Sequence, residues 1–190
     1  MAFLTMNEAR AAALRETNRI GKSATAILRE HTSTSRTSFD IFLSHSKMDS
    51  ELVLGAKKIL EEKGYSVYVD WIEDQQLDRS QVNRETADLL RRRMRQCALM
   101  FYLHTENAAL SKWCPWELGF FDGHTQSKHR TYIFPLVAGS QTFKAQEYLE
   151  LYPVVEIDNV GMTSFSKNDV YGKLFNGARI RMSAALSGIH

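Results

Sequence analysis

Side chains that could do chemistry gather at two places in this 190-residue chain, and each place follows an apolar run. The first is Ser-His-Ser-Lys at 44–47, and the second is Trp-Cys-Pro-Trp-Glu at 113–117. Hydroxyls, a lysine and loop backbone at a strand end can bind phosphate or ribose. A preorganised carboxylate such as Glu117 can stabilise positive charge that grows on a substrate. The two groups predict a site for a nucleotide-type ligand, with Glu117 as its key side chain.

Several nucleotide-handling classes need residues that these positions do not offer. A receiver-type phosphoacceptor needs an acidic cluster after its first strand to hold magnesium, and residues 44–47 contain no carboxylate. The sequence has no glycine-rich phosphate loop of the P-loop or dinucleotide-fingerprint kind, and no metal-ligand spacing. These observations argue against a nucleoside triphosphatase, a Rossmann dehydrogenase and a bound metal.

Strands alternate with helices from Phe39 onward, which predicts the scaffold for these residues. Apolar, β-branched or aromatic runs predict strands at 39–44, 65–71, 98–104, 131–137 and 154–157. Helical spacing predicts helices from Asp49 or Ser50 to Gly64, then near 82–96, 114–122, 143–150 and 166–186. We therefore expect an α/β fold with a flavodoxin-like, doubly wound, five-stranded parallel sheet. Its ligand should lie where the first and third strands end.

Composition limits the other possibilities. The chain has 24 basic and 22 acidic residues, a net charge of +2 that gives no reason to expect nucleic acid as a partner. The two cysteines, Cys97 and Cys114, lie in apolar stretches, which suits a reducing compartment better than a disulfide framework. No apolar run approaches the ~18 residues that a membrane span needs. We expect a cytoplasmic protein with no membrane association.

The first 38 residues are predicted to form an appendage to the compact domain at 39–190. Residues 1–30 have apolar residues at helical spacing with charges between them, which predicts an amphipathic helix interrupted only by Gly21. Residues 31–38 are small and polar, as in a linker. The apolar face of the helix needs a partner, either the flank of the domain itself or a second copy of the protein.

Three motifs resemble a Toll/interleukin-1 receptor (TIR) domain of bacterial type. They are FDIFLSHS at 39–46, YSVYVD at 65–70 and SKWCPWELG at 111–119. The resemblance covers about residues 39–160, and its most specific element is Trp113-x-x-x-Glu117, which matches the tryptophan and glutamate of TIR domains that cleave NAD+. The loop at 72–80 departs from the family, because it lacks the proline and glycine often found there.

One glutamate is chemically sufficient for NAD+ cleavage. Ordinary glycosidases need an acid to protonate the leaving oxygen and a second carboxylate to stabilise the oxocarbenium-like transition state. Nicotinamide leaves a pyridinium as a neutral molecule, so only the second carboxylate is needed. We expect Glu117 in the first turn of a helix, where the helix dipole favours its ionised form.

The resemblance implies an NAD+ nucleosidase that releases nicotinamide and forms ADP-ribose or a cyclic isomer. NAD+ would be the substrate, with no cofactor. Related bacterial TIR domains are associated with anti-phage defence, in which a cyclic product signals to a separate effector. The resemblance also implies self-association through TIR contacts.

Besides Glu117 as the catalytic residue, six side chains are candidates for binding the substrate. Trp113 offers a flat surface near the same helix face as Glu117, and an aromatic side chain before the polar loop could stack on a base. Core packing explains the tryptophans equally well, and strand-end capping is the alternative for residues 44–47. The candidates are Trp113, Ser44, His45, Ser46, Lys47 and Trp71.

Two other functions remain open at the level of sequence. A non-catalytic TIR domain would use its loop and helical flanks to assemble with other TIR domains. A nucleoside deoxyribosyltransferase-like protein would share the architecture and the single glutamate, but would act on nucleosides.

Overall fold

A computed structural model describes residues 2–31, 36–70, 84–126, 129–139, 143, 147–158, 170–174 and 176–187. The described strands are β1 (Leu4–Thr5), β2 (Phe39–Ser44), β3 (Val67–Val69), β4 (Cys97–His104), β5 (Thr131–Val137), β6 (Val154–Ile157), β7 (Val170–Lys173) and β8 (Arg179–Arg181). The described helices are α1 (Met6–Ile20), α2 (Ala24–His31), α3 (Ser50–Glu62), α4 (Arg84–Arg95), α5 (Glu106–Leu110), α6 (Trp113–Thr125) and α7 (Met182–Ser187). Short 3₁₀ turns occupy Lys47–Asp49 and Glu147–Leu151.

The centre of the sheet is parallel, with strand order β3-β2-β4-β5-β6. The prediction of an α/β fold with a parallel sheet between helices is confirmed. The chain passes from β2 to β3 on one side and then returns to β4 on the other, so the strand order reverses between β2 and β4. In open α/β sheets the crevice at such a reversal is where ligands bind. The short β1 adds to the carboxyl end of β5, where Leu4 pairs with Leu136.

Two hydrophobic clusters fill the two faces of the sheet, and strand alternation assigns each side chain to one of them. Ile41 and Leu43 of β2 belong to the cluster that contains α1 and α3. Phe42 belongs to the cluster that contains α4 and α6. Because successive side chains of a strand point to opposite faces, Ser44 shares the face of Phe42. The end of β2 therefore directs a hydroxyl toward α6.

The last part of the chain differs from the prediction. The helix expected over 166–186 is wrong for the described residues, since β7 and β8 form an antiparallel hairpin on β6 and only Met182–Ser187 is helical. The described sheet therefore has eight strands, more than the five that the sequence predicted. Gly172 of β7 lies directly against the core, because a Cβ there would be 2.4 Å from Tyr132 Cε1.

Helices α1 and α2 cover α3, so the flank of the same chain is the surface that the predicted amphipathic helix packs against. Thr5 and Glu8 form a capping box at the start of α1, and Gly21 ends the helix in the left-handed conformation with φ 73°. Residues 32–35 of the predicted linker lie outside the described residues, and the division at residue 38 stays a prediction. Within the described part of the chain, no helix is both long and apolar enough to cross a membrane.

The crossing of α1 and α3 depends on Gly55. A Cβ at this position would lie 1.8 Å from the Ala9 carbonyl oxygen, so only glycine permits this approach of the two backbones. We expect Gly55→Ala to lower the free energy of unfolding by about 1–3 kcal/mol through overpacking. Thermal denaturation should show a melting temperature lower by roughly 2–10 °C.

Gly119 is the matched control, because it lies in α6 and a Cβ there would meet nothing within 4 Å. Gly119→Ala should be neutral or stabilising by up to about 1 kcal/mol. Equal melting temperatures for the two variants would contradict the close crossing of α1 and α3.

A buried carboxylate also ties α1 to α3. Glu16 is 7% exposed, accepts hydrogen bonds from Arg19 at 2.8 Å and lies 3.1 Å from the Lys58 ammonium. The Arg19 hydrogen bonds, with Lys58 assisting, lower the pKa of Glu16 to about 2. A carboxylate with a lowered pKa stabilises the folded state above its unfolded-state pKa and loses that contribution as the pH falls.

Glu16→Gln should therefore have a pH-dependent effect. At pH 6 the variant should be less stable than the unmodified protein by about 1 kcal/mol in urea unfolding. The difference should shrink as the pH falls from about 4.5 towards 2. A difference that stays constant over this range would show that Glu16 acts through packing alone.

Candidate active site

The carboxyl end of β2 meets α6 through one short hydrogen bond. The Ser44 hydroxyl donates to Glu117 Oε2 at 2.6 Å. Both side chains are buried, with 1% and 2% of their surfaces exposed. Since Ser44 ends β2 beside the strand-order reversal, this bond holds a carboxylate at the place where an open α/β sheet binds its ligand.

The sequence predicted Glu117 in the first turn of its helix, and this prediction is wrong. Helix α6 begins at Trp113 and runs to Thr125, so Glu117 is its fifth residue. The helix-dipole effect falls off within the first turn, and its share at Glu117 is small. The hydrogen bond that the structure shows at the carboxylate comes instead from the Ser44 hydroxyl.

The other predicted residues of the 44–47 group have different environments. His45 is 3% exposed, and its Nδ1 lies 2.8 Å from the Leu43 carbonyl oxygen. The Ser46 hydroxyl caps the 3₁₀ turn by accepting a bond from the Met48 N–H, while Lys47 is exposed. These three residues belong to the segment that directly follows Ser44. Trp71 lies outside the described residues.

Trp113 is packed into the protein. Only 6% of its surface is exposed, and its ring meets the Trp116 ring edge-on with centroids 5.4 Å apart. Arg91 of α4 lies 5.2 Å above the Trp116 ring, a cation–π contact that joins α4 to α6. The geometry gives Trp113 a packing role next to Glu117, and contact with a substrate stays a prediction.

Tyr102 is a residue of this region that the sequence reading did not single out. It pairs with Ser44 across β2 and β4, is fully buried, and donates to the Ala108 carbonyl oxygen. Burial raises the pKa of Tyr102 well above its usual range, with further contributions from Cys114, Tyr148 and Glu117. The phenol is therefore neutral and lies close to the carboxylate. The sequence could have indicated Tyr102 through its place near the end of β4, where its side chain lies on the same face of the sheet as that of Ser44.

Asp49 is a second residue whose role was missed. The sequence predicted that a helix begins at Asp49 or Ser50. Asp49 occupies the N-cap position of α3, but its side chain makes no capping hydrogen bond. Instead its carboxylate accepts bonds from Thr105 Oγ1 at 2.6 Å and from Asn107 Nδ2 at 2.7 Å. These contacts hold the segments after β2 and β4 against one another.

The described residues contain no group of three or more His, Cys, Asp or Glu side chains arranged to hold a metal ion. Cys97 and Cys114 are both buried, and the structure shows no disulfide between them. The described groups at this place include the buried Glu117 carboxylate and the Ser44 hydroxyl that donates to it.

The fold is a doubly wound parallel sheet that holds the buried Glu117 carboxylate, through Ser44, at its strand-order reversal. The family model described as the TIR domain matches residues 41–169. The chain belongs to the TIR domain family, as the resemblance indicated.

Two curated relatives carry related names. A protein of Bacillus cereus (strain MSX-D12), "Probable 3' cyclic ADP-D-ribose synthase ThsB'", is 52% identical over 119 residues, which cover 62% of this chain and 60% of the relative. A protein of Cytobacillus dafuensis, "Putative cyclic ADP-D-ribose synthase TIR2", is 31% identical over 83 residues, which cover 43% of this chain and 22% of the relative. The matches thus span about three fifths of one relative and about a fifth of the other.

The Ser44–Glu117 bond can be measured by a double-mutant cycle in urea unfolding. Removing the donor from a buried carboxylate should cost about 1–3 kcal/mol, so Ser44→Ala should be clearly less stable than the unmodified protein. In the Glu117→Gln background the acceptor is neutral, and Ser44→Ala should cost about 1 kcal/mol less. Strict additivity of the two substitutions would mean that the two side chains do not interact.

Proposed function

We propose that this protein cleaves NAD+ between nicotinamide and ribose and forms a cyclic ADP-ribose, with Glu117 as the catalytic carboxylate. The observation that carries the proposal is the buried Glu117 carboxylate, oriented by Ser44 at the strand-order reversal. Membership of the TIR family and the names of the two relatives support it.

The proposed reaction needs little from the protein beyond fixed negative charge. The bond between the ribose carbon and the pyridinium nitrogen breaks, and its electron pair neutralises nicotinamide as it leaves. The sugar then carries positive charge, which a fixed carboxylate stabilises in a site with little water. Because Ser44 holds one carboxylate oxygen, Glu117 does not have to reorient as the charge grows.

Capture of the sugar decides the product. Water would give ADP-ribose, whereas an acceptor atom of the same molecule would give a cyclic isomer, and in either case the acceptor loses a proton. Both relatives are named as cyclic ADP-D-ribose synthases, which favours the cyclic product here. A product of this kind suits a signalling role in anti-phage defence, read by a separate effector.

Other residues have supporting parts in the proposal. The loop at 44–47 would contact ribose and phosphate, with Lys47 as its exposed cation and His45 and Ser46 shaping the loop. Trp113 would support Glu117 from one turn earlier, and Trp71 would stack on a base. We further propose a cytoplasmic enzyme that self-associates through its TIR domain and requires no cofactor.

Glu117→Gln tests the catalytic assignment. The substitution keeps the shape of the side chain and an oxygen that can accept from Ser44, but removes the charge. Nicotinamide release from NAD+, followed by chromatography at high protein concentration, should fall by about 10²–10³-fold. Mass spectrometry of the adenine-containing products separates ADP-ribose from its cyclic isomers.

Glu106→Gln is the matched control, because Glu106 is an exposed glutamate in the first turn of the neighbouring α5. This variant should retain the rate of the unmodified protein. Full activity in Glu117→Gln would reject Glu117 as the catalytic residue. Intact NAD+ with the unmodified, self-associated protein would reject the enzyme and favour a non-catalytic assembly domain.

A further inference from the structure

Asp49 lies at the N-cap of α3, but its side chain does not cap this helix. An aspartate in the N-cap position commonly accepts a hydrogen bond from a backbone N–H of the helix it begins. Here the side chain makes no such bond to α3, and its two oxygens accept from Thr105 and Asn107 across 56 and 58 residues of sequence. The carboxylate is only 7% exposed. Asp49 thus joins the segment after β2 to the segment after β4.

The Asp49 contacts fix the short helix α5 at its beginning. Thr105 is the N-cap of α5, with its hydroxyl accepting from the Ala108 N–H at 3.0 Å while it donates to Asp49. Tyr102 adds a third restraint by donating to the Ala108 carbonyl oxygen. A five-residue helix has little stability of its own, so these side-chain contacts decide where it lies.

Helix α5 leads directly into the helix that carries Glu117. Only Ser111 and Lys112 separate α5 from α6, and the Ser111 hydroxyl accepts from the backbone N–H groups of Trp113 and Cys114. The placement of α5 therefore determines where α6 begins. A shift of about 1 Å in a catalytic group can cost about a hundredfold in rate.

We propose that Asp49 is a positioning residue, which clamps the strand-end segments of β2 and β4 and thereby sets the place of Glu117 relative to Ser44. The inference rests on the proposed NAD+ cleavage for its kinetic consequence. Asp49 itself does not act on the substrate. Its effect should fall on the turnover number, because the carboxylate that it positions acts in the transition state.

Asp49→Asn is the principal variant, since it keeps the shape of the side chain but replaces one acceptor oxygen with a donor. Asp40→Asn is the matched control near the start of β2, away from the segment that contains Asp49. There Asp40 accepts from Ser66 N and Ser66 Oγ at 2.8 and 3.0 Å. Asp49→Asn should lower kcat for nicotinamide release by at least about tenfold, with little change in KM. Asp40→Asn should leave kcat unchanged.

A side-chain exchange distinguishes geometry from general destabilisation. In the double variant Asp49→Asn, Asn107→Asp, the amide at 49 can donate to the carboxylate at 107 and still accept from Thr105. This exchange should recover kcat to within about threefold of the unmodified protein. Equal losses of kcat in Asp49→Asn and Asp40→Asn, or no recovery in the exchange, would overturn the positioning role.

The reactivity of Cys114 provides a measurement that does not depend on NAD+ cleavage. Cys114 is 1% exposed in the first turn of α6, and Cys97 at the other end of the sheet is an internal reference. Alkylation followed by peptide mass spectrometry should show faster labelling of Cys114 relative to Cys97 in Asp49→Asn, but not in Asp40→Asn or the exchange.

This readout separates the two proposals. If the unmodified protein leaves NAD+ intact, the proposed function fails, and selective labelling of Cys114 in Asp49→Asn still supports the clamp. If Asp49→Asn changes neither kcat nor the labelling of Cys114, the clamp is overturned whether or not the protein cleaves NAD+.

Discussion

The alternation of side chains along β2 is the constraint on which the site depends. Ile41 and Leu43 enter the core beneath α1 and α3, and Phe42 enters the core beneath α4 and α6. Ser44, the last residue of the strand, points to the same face as Phe42. On this face of β2 the aromatic ring of Phe42 is followed by the Ser44 hydroxyl, which donates a hydrogen bond to Glu117. A shift of one residue in the pairing of β2 would turn Ser44 to the other face and leave Glu117 without this donor.

The regular parts of the fold could be predicted from the sequence because local and tertiary signals agree there. The runs at 39–44, 131–137 and 154–157 became strands with the predicted limits, since each is rich in apolar side chains and mostly buried in the sheet. The end of the chain was misread because helical spacing around 170–186 competes with pairing to the edge of β6, and periodicity within one segment carries no information about that edge. Buried Glu156 accepts from Arg179 at 2.6 Å, a contact that only the hairpin creates.

The arrangement of the candidate site was predictable in outline, whereas the roles of its residues stay predictions. Strand ends placed the 44–47 loop near α6, and the Trp-x-x-x-Glu spacing singled out Glu117. The partners of Asp49 could not be read from the sequence, because a capping aspartate and a bridging aspartate occupy the same position before a helix. Tyr102 was overlooked for a related reason, since a tyrosine in a buried strand is typical of packing and its hydroxyl partner lies in a later helix.

The backbone contact between Ala9 and Gly55 has a practical consequence for how this protein can be divided. The family match covers residues 41–169, a range that excludes α1, β1 and the β8 edge strand. A fragment cut to that range would lack α1 and uncover the face of α3 around Gly55, which carries the buried side chains of Leu52 and Ile59. Such an apolar surface favours aggregation. Inactivity of a fragment with those limits would therefore report on its solubility and not on its chemistry.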